Sequence, residues 1–94
     1  MLITSVKLQG VEHKLKIPIE VEERESLLGG RTMHVLEIKE FGLLSYHDNL
    51  EISRKVMKES VDLIINSRLF EDYSDPEYKK ALRFQNLLKR YIYG

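Results

Sequence analysis

Cysteine is absent from this 94-residue sequence, and so are long apolar runs. The first absence excludes disulfides, zinc–thiolate sites and thiol catalysis, and it makes a cytoplasmic location the default expectation. No stretch approaches the roughly 20 apolar residues that are needed to cross a bilayer. Because Met1–Gly10 lacks a basic segment followed by an apolar run, we expect no secretory signal and no membrane partner.

Net charge of either sign is also absent, since 15 Lys and Arg residues balance 15 Asp and Glu residues. Such a balance disfavours a general polyanion binder, although a local patch can still bind one. With 43% hydrophobic residues the chain is too apolar to be disordered. Its length fits a single domain, residues 1–94, of modest stability that a partner subunit would raise.

Recognisable catalytic and metal-binding motifs are missing too. No serine has the Gly-x-Ser-x-Gly setting, and Gly29 and Gly30 lack the Lys and Ser or Thr of a phosphate loop. The three histidines are scattered, without metal-ligand spacing. His47 beside Asp48 is the nearest approach to an acid–base pair, but adjacent side chains usually point apart and helix capping explains Asp48. We therefore predict no enzymatic activity, no catalytic residue, no metal site and no cofactor.

The hydrophobic spacing changes near Tyr46, from alternation before it to three- and four-residue spacing after it. This change indicates strands across about 2–46 and helices across about 49–67 and 75–92. A run of strands followed by a run of helices is typical of an α+β domain. We expect a three- or four-stranded, mainly antiparallel sheet, followed by two C-terminal helices that pack on one of its faces.

Alternation is clearest in the second strand, where apolar residues take every other position: Leu15, Ile17, Ile19 and Val21. Pro18 lies among the outward residues and cannot donate a ladder hydrogen bond, so it predicts an edge strand or a bulge. Glu22–Ser26 is expected to be a polar connection, and Gly29 with Gly30 a turn. Met33–Lys39 is partly apolar on both sides, which favours a central strand. Gly42 permits a bulge or a turn into a further short strand.

Asp48 or Asn49 can cap the first helix. Its apolar surface is wide and includes a second face, formed by Ile52, Val56 and Leu63. So wide a surface can be buried against the sheet and the last helix, or against a second copy of the protein. Small side chains recur every seven residues, at Ser53, Ser60 and Ser67. They can let another helix approach closely.

The last helix has both a sharp start and the one marked charge asymmetry of the chain. Ser74 and Glu77 have the spacing of a capping box around Pro76. Residues 79–94 contain five basic residues and no acidic residue. Three of the basic residues fall within about 40° of one another on a helical wheel, where they can face a phosphate backbone or an acidic partner; these are Lys79, Arg83 and Arg90.

Two further features bear on function. An acidic run, Glu20, Glu22, Glu23 and Glu25, complements the basic helix, either within one chain or between two. Tyrosines combine apolar area with a hydroxyl group, so the predicted interface residues are Tyr78, Tyr91 and Tyr93. Alternatively, the basic side chains of the last helix form an ordinary solvated surface, and their charges complement the helix dipole.

The function that we predict is a small non-enzymatic protein-interaction module, which self-associates or belongs to a complex. Its partner is then a second copy or another protein. The alternative function is nucleic-acid binding through the basic face of the C-terminal helix.

Overall fold

The computed structural model describes residues 1–94 as two antiparallel sheets and two long helices. The elements follow in the order β1 (Leu2–Leu8), β2 (Val11–Glu20), β3 (Glu22–Leu28), β4 (Arg31–Ile38), β5 (Leu43–His47), α1 (Leu50–Leu69) and α2 (Lys79–Tyr93). The α+β class and the packing of both C-terminal helices on the strands are confirmed. The strands are divided between a two-stranded sheet, β1–β2, and a three-stranded sheet, β3–β4–β5, where the sequence predicted a single sheet.

Pro18 lies at an irregularity of β2, and β1 is the only strand that pairs with β2. At this irregularity one residue of β1 faces four residues of β2, positions 15–18. The prediction of an edge strand or a bulge at Pro18 is therefore confirmed in both parts. The bulge also interrupts the predicted alternation of buried and exposed side chains. Leu15 and Ile19 are buried, whereas Ile17 between them is 46% exposed.

Glu22–Ser26 was expected to be a polar connection, and that expectation is wrong. These residues belong to β3, which pairs with β4 along its whole length. β3 buries none of its side chains, so its sequence carries no alternating apolar signal. Its conformation follows from the ladder with β4 and from the turn at Gly29 and Gly30, whose φ angles of 57° and 77° suit glycine in a two-residue hairpin. β4 is central, as predicted.

Two polar side chains of α1 cover the free edge of β1. The Asp62 carboxylate accepts a hydrogen bond from the Lys7 backbone N–H at 3.0 Å. The Asn66 side chain accepts from the Gln9 N–H at 2.8 Å and donates to the Lys7 carbonyl. Because an open edge strand can pair with another chain, these bonds both fix α1 on the sheet and remove one site of unwanted strand pairing.

One hydrophobic core joins both sheets and both helices. α1 lies against β1, β4 and β5, and α2 lies against β2 and α1. The core contains 15 buried apolar residues: Ile3, Val6, Leu8, Leu15, Ile19, Val21, Leu36, Ile38, Phe41, Met57, Val61, Ile65, Leu69, Leu88 and Ile92.

The two helices start differently from one another. Asn49 caps α1, because its side chain accepts a hydrogen bond from the Ile52 N–H at 3.1 Å. The capping box predicted at Ser74 is wrong. Asp75 is the capping residue of a 3-10 turn, Pro76–Tyr78, that leads into α2. Ser74 instead hydrogen-bonds back to Asp72 through its hydroxyl and its N–H, which lowers the pKa of the Asp72 carboxyl.

Candidate interaction surfaces

An apolar stripe runs along the outer side of α1. We define this α1 stripe by its four large exposed side chains, three on one side of the helix and one at the residue that follows its last turn, spaced by four, seven and seven residues: Ile52, Val56, Leu63 and Phe70. Their exposed fractions are 42%, 43%, 72% and 53%. Neither sheet nor α2 covers the second apolar face that the sequence predicted.

Small side chains border this stripe, as the seven-residue repeat of serines suggested. The Ser60 hydroxyl donates to the Val56 carbonyl at 2.8 Å, and the Ser67 hydroxyl donates to the Ile64 carbonyl at 3.0 Å. Both hydroxyls are therefore satisfied within α1. Ser53, the third member of the repeat, is fully buried and instead donates to the His34 carbonyl of β4.

The basic side chains of α2 form a second exposed surface. Every basic residue of this helix is exposed: Lys79, Lys80, Arg83, Lys89 and Arg90. None of the ion pairs in the structure includes a residue of α2. The predicted binding residues therefore lie on one solvent-facing helix without intramolecular partners.

The three tyrosines predicted at an interface have different environments. Tyr78 is exposed and packs edge-on against Tyr73, with 5.9 Å between ring centroids. Tyr91 is half-buried against Phe41, and its hydroxyl donates to the Glu40 carboxylate; burial and this bond raise the pKa of Tyr91. Tyr93, the last residue of α2, is 59% exposed. Their role at an interface stays a prediction.

The acidic run pairs with neighbours on other elements and not with α2. Glu23 accepts two hydrogen bonds from the Arg54 guanidinium, at 2.8 and 3.1 Å. Glu22 lies 3.7 Å from the Lys39 ammonium group. Within one chain, therefore, no ion pair joins the acidic run to the basic helix.

The Glu23–Arg54 pair links β3 to α1 and should make stability depend on pH. The Arg54 hydrogen bonds hold the pKa of Glu23 below its ordinary value of 4.5. A carboxylate whose folded pKa is depressed stabilises the fold fully above the unfolded pKa and loses this effect as the pH falls through the folded pKa. We expect Glu23→Gln to lower the urea midpoint at pH 7, and the difference from the wild type to shrink progressively below pH 4.5.

Urea unfolding followed by circular dichroism across this pH range measures the effect. Glu25→Gln is the matched control, because Glu25 lies on the same strand and makes no hydrogen bond to an arginine. A constant difference between Glu23→Gln and the wild type from pH 7 to pH 3 would show that the ion pair does not carry the pH dependence.

An open groove of about 1000 Å³ lies where the end of β2 meets the end of β4. Ile17 and Pro18 line it on one side, Glu40 and Tyr91 on the other. It contains neither a histidine nor a serine. The Tyr91 hydroxyl and the Glu40 carboxylate both line it, and the hydroxyl donates to the carboxylate at 3.1 Å. Several residues that line it stood out in the sequence, among them Pro18, Tyr91 and part of the acidic run.

Histidines and acidic residues form no metal-binding cluster. His47 Nδ1 lies 2.9 Å from the Asp48 carboxylate and also 2.9 Å from the Asn49 N–H, so it takes part in the turn before α1. No group of three or more His, Asp and Glu side chains is arranged to hold a metal ion. No helix is long and apolar enough to cross a membrane.

Comparison with known proteins identifies no relative of this chain. No family model matches it, and neither a curated protein nor a solved structure matches it. A functional proposal therefore depends on the two exposed surfaces described above, the α1 stripe and the cations of α2.

Proposed function

We propose that this protein is a small non-enzymatic interaction module that forms a homodimer through the α1 stripe. The observation that carries the proposal is the exposure of three large apolar side chains on one side of the longest helix, with a fourth at the residue that follows it. Fully burying such a side chain stabilises a structure by about 1.5–3 kcal/mol, so the shared burial of Ile52, Val56 and Leu63 would supply a substantial driving force. The opposite side of α1 is anchored in the core, which makes the stripe a rigid platform.

A second copy fits the stripe because an antiparallel arrangement is self-complementary. In a two-fold dimer the same surface serves both partners. With two antiparallel α1 helices crossing near Val56–Ser60, Ile52 of one copy lies opposite Leu63 of the other. The bulk of Val56 then faces the small Ser60, whose hydroxyl needs no further partner.

Charge complementarity favours the same arrangement. Lys55 and Glu59 flank the stripe on one side, and neither makes an ion pair within the chain. An antiparallel pairing reverses their order in the partner, so each Lys55 faces Glu59 of the other copy. Such pairs set the register of two helices more than they add affinity.

Leu63→Glu tests the proposal. The substitution places a charge opposite Ile52 of the other copy, within the interface, and we expect the dimer measured by multi-angle light scattering to become a monomer. The fold should be unaffected, because Leu63 is 72% exposed. Leu27→Glu is the matched control: Leu27 is also 72% exposed, but it lies on β3. A wild-type monomer at every concentration and salt condition would overturn the proposal.

The orientation has its own test in a charge swap. Lys55→Glu alone should weaken the dimer, and combining it with Glu59→Lys should restore the affinity measured by sedimentation. If Leu63→Glu dissociates the dimer while the swap restores nothing, the stripe is the interface but the antiparallel register is wrong.

A further inference from the structure

We infer that the solvent-facing side of α2 binds single-stranded nucleic acid through its phosphate backbone. We define this basic face by five side chains at positions spaced by four, three, four and three residues: Lys79, Arg83, Asn86, Arg90 and Tyr93. α2 takes no part in the α1 stripe, so nucleic-acid binding by α2 can be tested independently of the dimer.

α2 differs in charge from the rest of the chain. Residues 79–94 carry five positive charges, and because the whole chain is neutral the other residues carry a net charge of minus five. Elsewhere many cations have carboxylate partners, as Arg24 has Glu37 at 2.9 Å. The cations of α2 have none, although α2 lies beside acidic groups such as Glu40, to which Tyr91 is bonded. A local concentration of unpaired positive charge is the electrostatic footprint of a polyanion site.

The helix dipole explains only the C-terminal cations of α2. Cations are favourable near a helix C-terminus, and the effect falls off within the last turn. Of the basic residues only Lys89 and Arg90 lie near that end. Lys79 and Lys80 occupy the first turn of α2, where the dipole disfavours cations. The acids that suit a helix start, Asp75 and Glu77, lie at the 3-10 turn before it. The dipole therefore gives no reason for cations at the N-terminal end of the basic face.

The geometry of the basic face suits a phosphate chain. From Lys79 to Arg90 the face extends about 16 Å along the helix axis. Arginine presents a planar fork of donors that matches phosphate oxygens, and the intervening Asn86 side chain can also donate. Tyr93 is 59% exposed at one end of the face, where its ring can stack on a base.

Two other polyanionic partners fit less well. Helices that lie on a membrane insert an apolar face, but the apolar face of α2, with Leu88 and Ile92, is buried in the core. An acidic protein surface would interact with the basic side chains but would not need the exposed tyrosine ring. An exposed ring beside them favours nucleic acid, and stacking on it requires bases that are not already paired, which favours a single strand over a duplex.

The test is fluorescence anisotropy with labelled oligo(U) and oligo(dT), and with a duplex of equal length. We expect the single strands to bind more tightly than the duplex. Arg83→Glu combined with Arg90→Glu should weaken binding about tenfold or more and lower the slope of log K against log salt by about 1.4, since each phosphate contact contributes roughly 0.7 for single strands.

The matched control is Lys7→Glu combined with Arg31→Glu, which changes the net charge equally at exposed positions on β1 and β4. Tyr93→Leu should weaken binding several-fold, whereas Tyr93→Phe should not. Circular dichroism and light scattering of each variant verify the fold and the oligomeric state.

Three outcomes would overturn the inference. The wild type could fail to bind the oligonucleotides at low salt. The control pair could weaken binding as much as the α2 pair, which would make the attraction a matter of net charge alone. Polyglutamate or anionic vesicles could bind more tightly than the single strands, which would assign the basic face to an acidic protein or to a lipid surface.

Discussion

Replacing Phe41 by alanine is expected to lower the free energy of unfolding by about 3–5 kcal/mol, the usual effect of removing a buried phenyl ring. Phe41 is only 6% exposed and is the centre of a cluster that holds α2 on the sheets. Its ring packs edge-on against Phe84, at 5.8 Å and 89°, and against Tyr91, at 5.5 Å and 90°. The loss would be a large part of the roughly 5–14 kcal/mol that is typical of a chain of this length.

Urea unfolding followed by circular dichroism measures this loss. Leu44→Ala is the control, because Leu44 follows Phe41 closely in sequence but is 55% exposed, and we expect a change within about 0.5 kcal/mol. Phe41→Leu should retain part of the stability by filling some of the cavity. Equal midpoints for Phe41→Ala and Leu44→Ala would show that the aromatic cluster does not secure α2.

Gln85→Leu is the second substitution with a large expected effect, of about 2–3 kcal/mol. Gln85 is 4% exposed, and its side-chain amide nitrogen donates to the carbonyls of Arg68, Leu69 and Glu71, at 2.8, 3.1 and 2.8 Å. The two N–H groups of the Gln85 amide therefore donate hydrogen bonds to three carbonyls at the end of α1. A leucine of similar size would leave the Leu69 and Glu71 carbonyls without a donor, whereas the Arg68 carbonyl would keep its bond from the Glu71 N–H at 3.5 Å. A buried acceptor without a partner is costly.

Thermal unfolding of Gln85→Leu measures the effect, with Asn86→Ala, an exposed neighbour on the same helix, as the control. Gln85→Glu separates hydrogen bonding from packing. At neutral pH a carboxylate would face three carbonyl oxygens, so its folded pKa should be raised and this variant should gain stability as the pH falls. A pH-independent effect of Gln85→Glu would indicate that packing, and not the donated hydrogen bonds, determines the stability at this position.

The elements that the sequence predicted correctly are those whose pattern is local. The turn at Gly29 and Gly30 needs positive φ angles, and Pro18 cannot donate in a ladder, so both act through their own backbone. β3 was missed because all of its strand-forming interactions come from β4 and none of its side chains is buried. The capping box failed at Ser74 for a related reason, since Asp75 next to Pro76 competes for the same backbone donors.

The sequence predicted only part of each candidate surface. Helical spacing predicted a second apolar face on α1 and a cluster of cations on α2. It did not predict that Leu63 would be left uncovered, because that depends on how the sheets and α2 are arranged around α1. Nor did it predict that the α2 cations would lack partners, because the partners of Arg54 and Lys39 lie far away in sequence.

The position of α2 in the fold also has a consequence for synthesis on the ribosome. β1 and β2 precede α2 in the chain, yet α2, which lies against β2 and carries the core residues Leu88 and Ile92, is made after every one of these strands. The apolar side of β2 therefore stays open to solvent while the rest of the chain is translated. We infer that the nascent protein is most prone to aggregate, and most dependent on chaperones, in the interval between the completion of α1 and the emergence of α2.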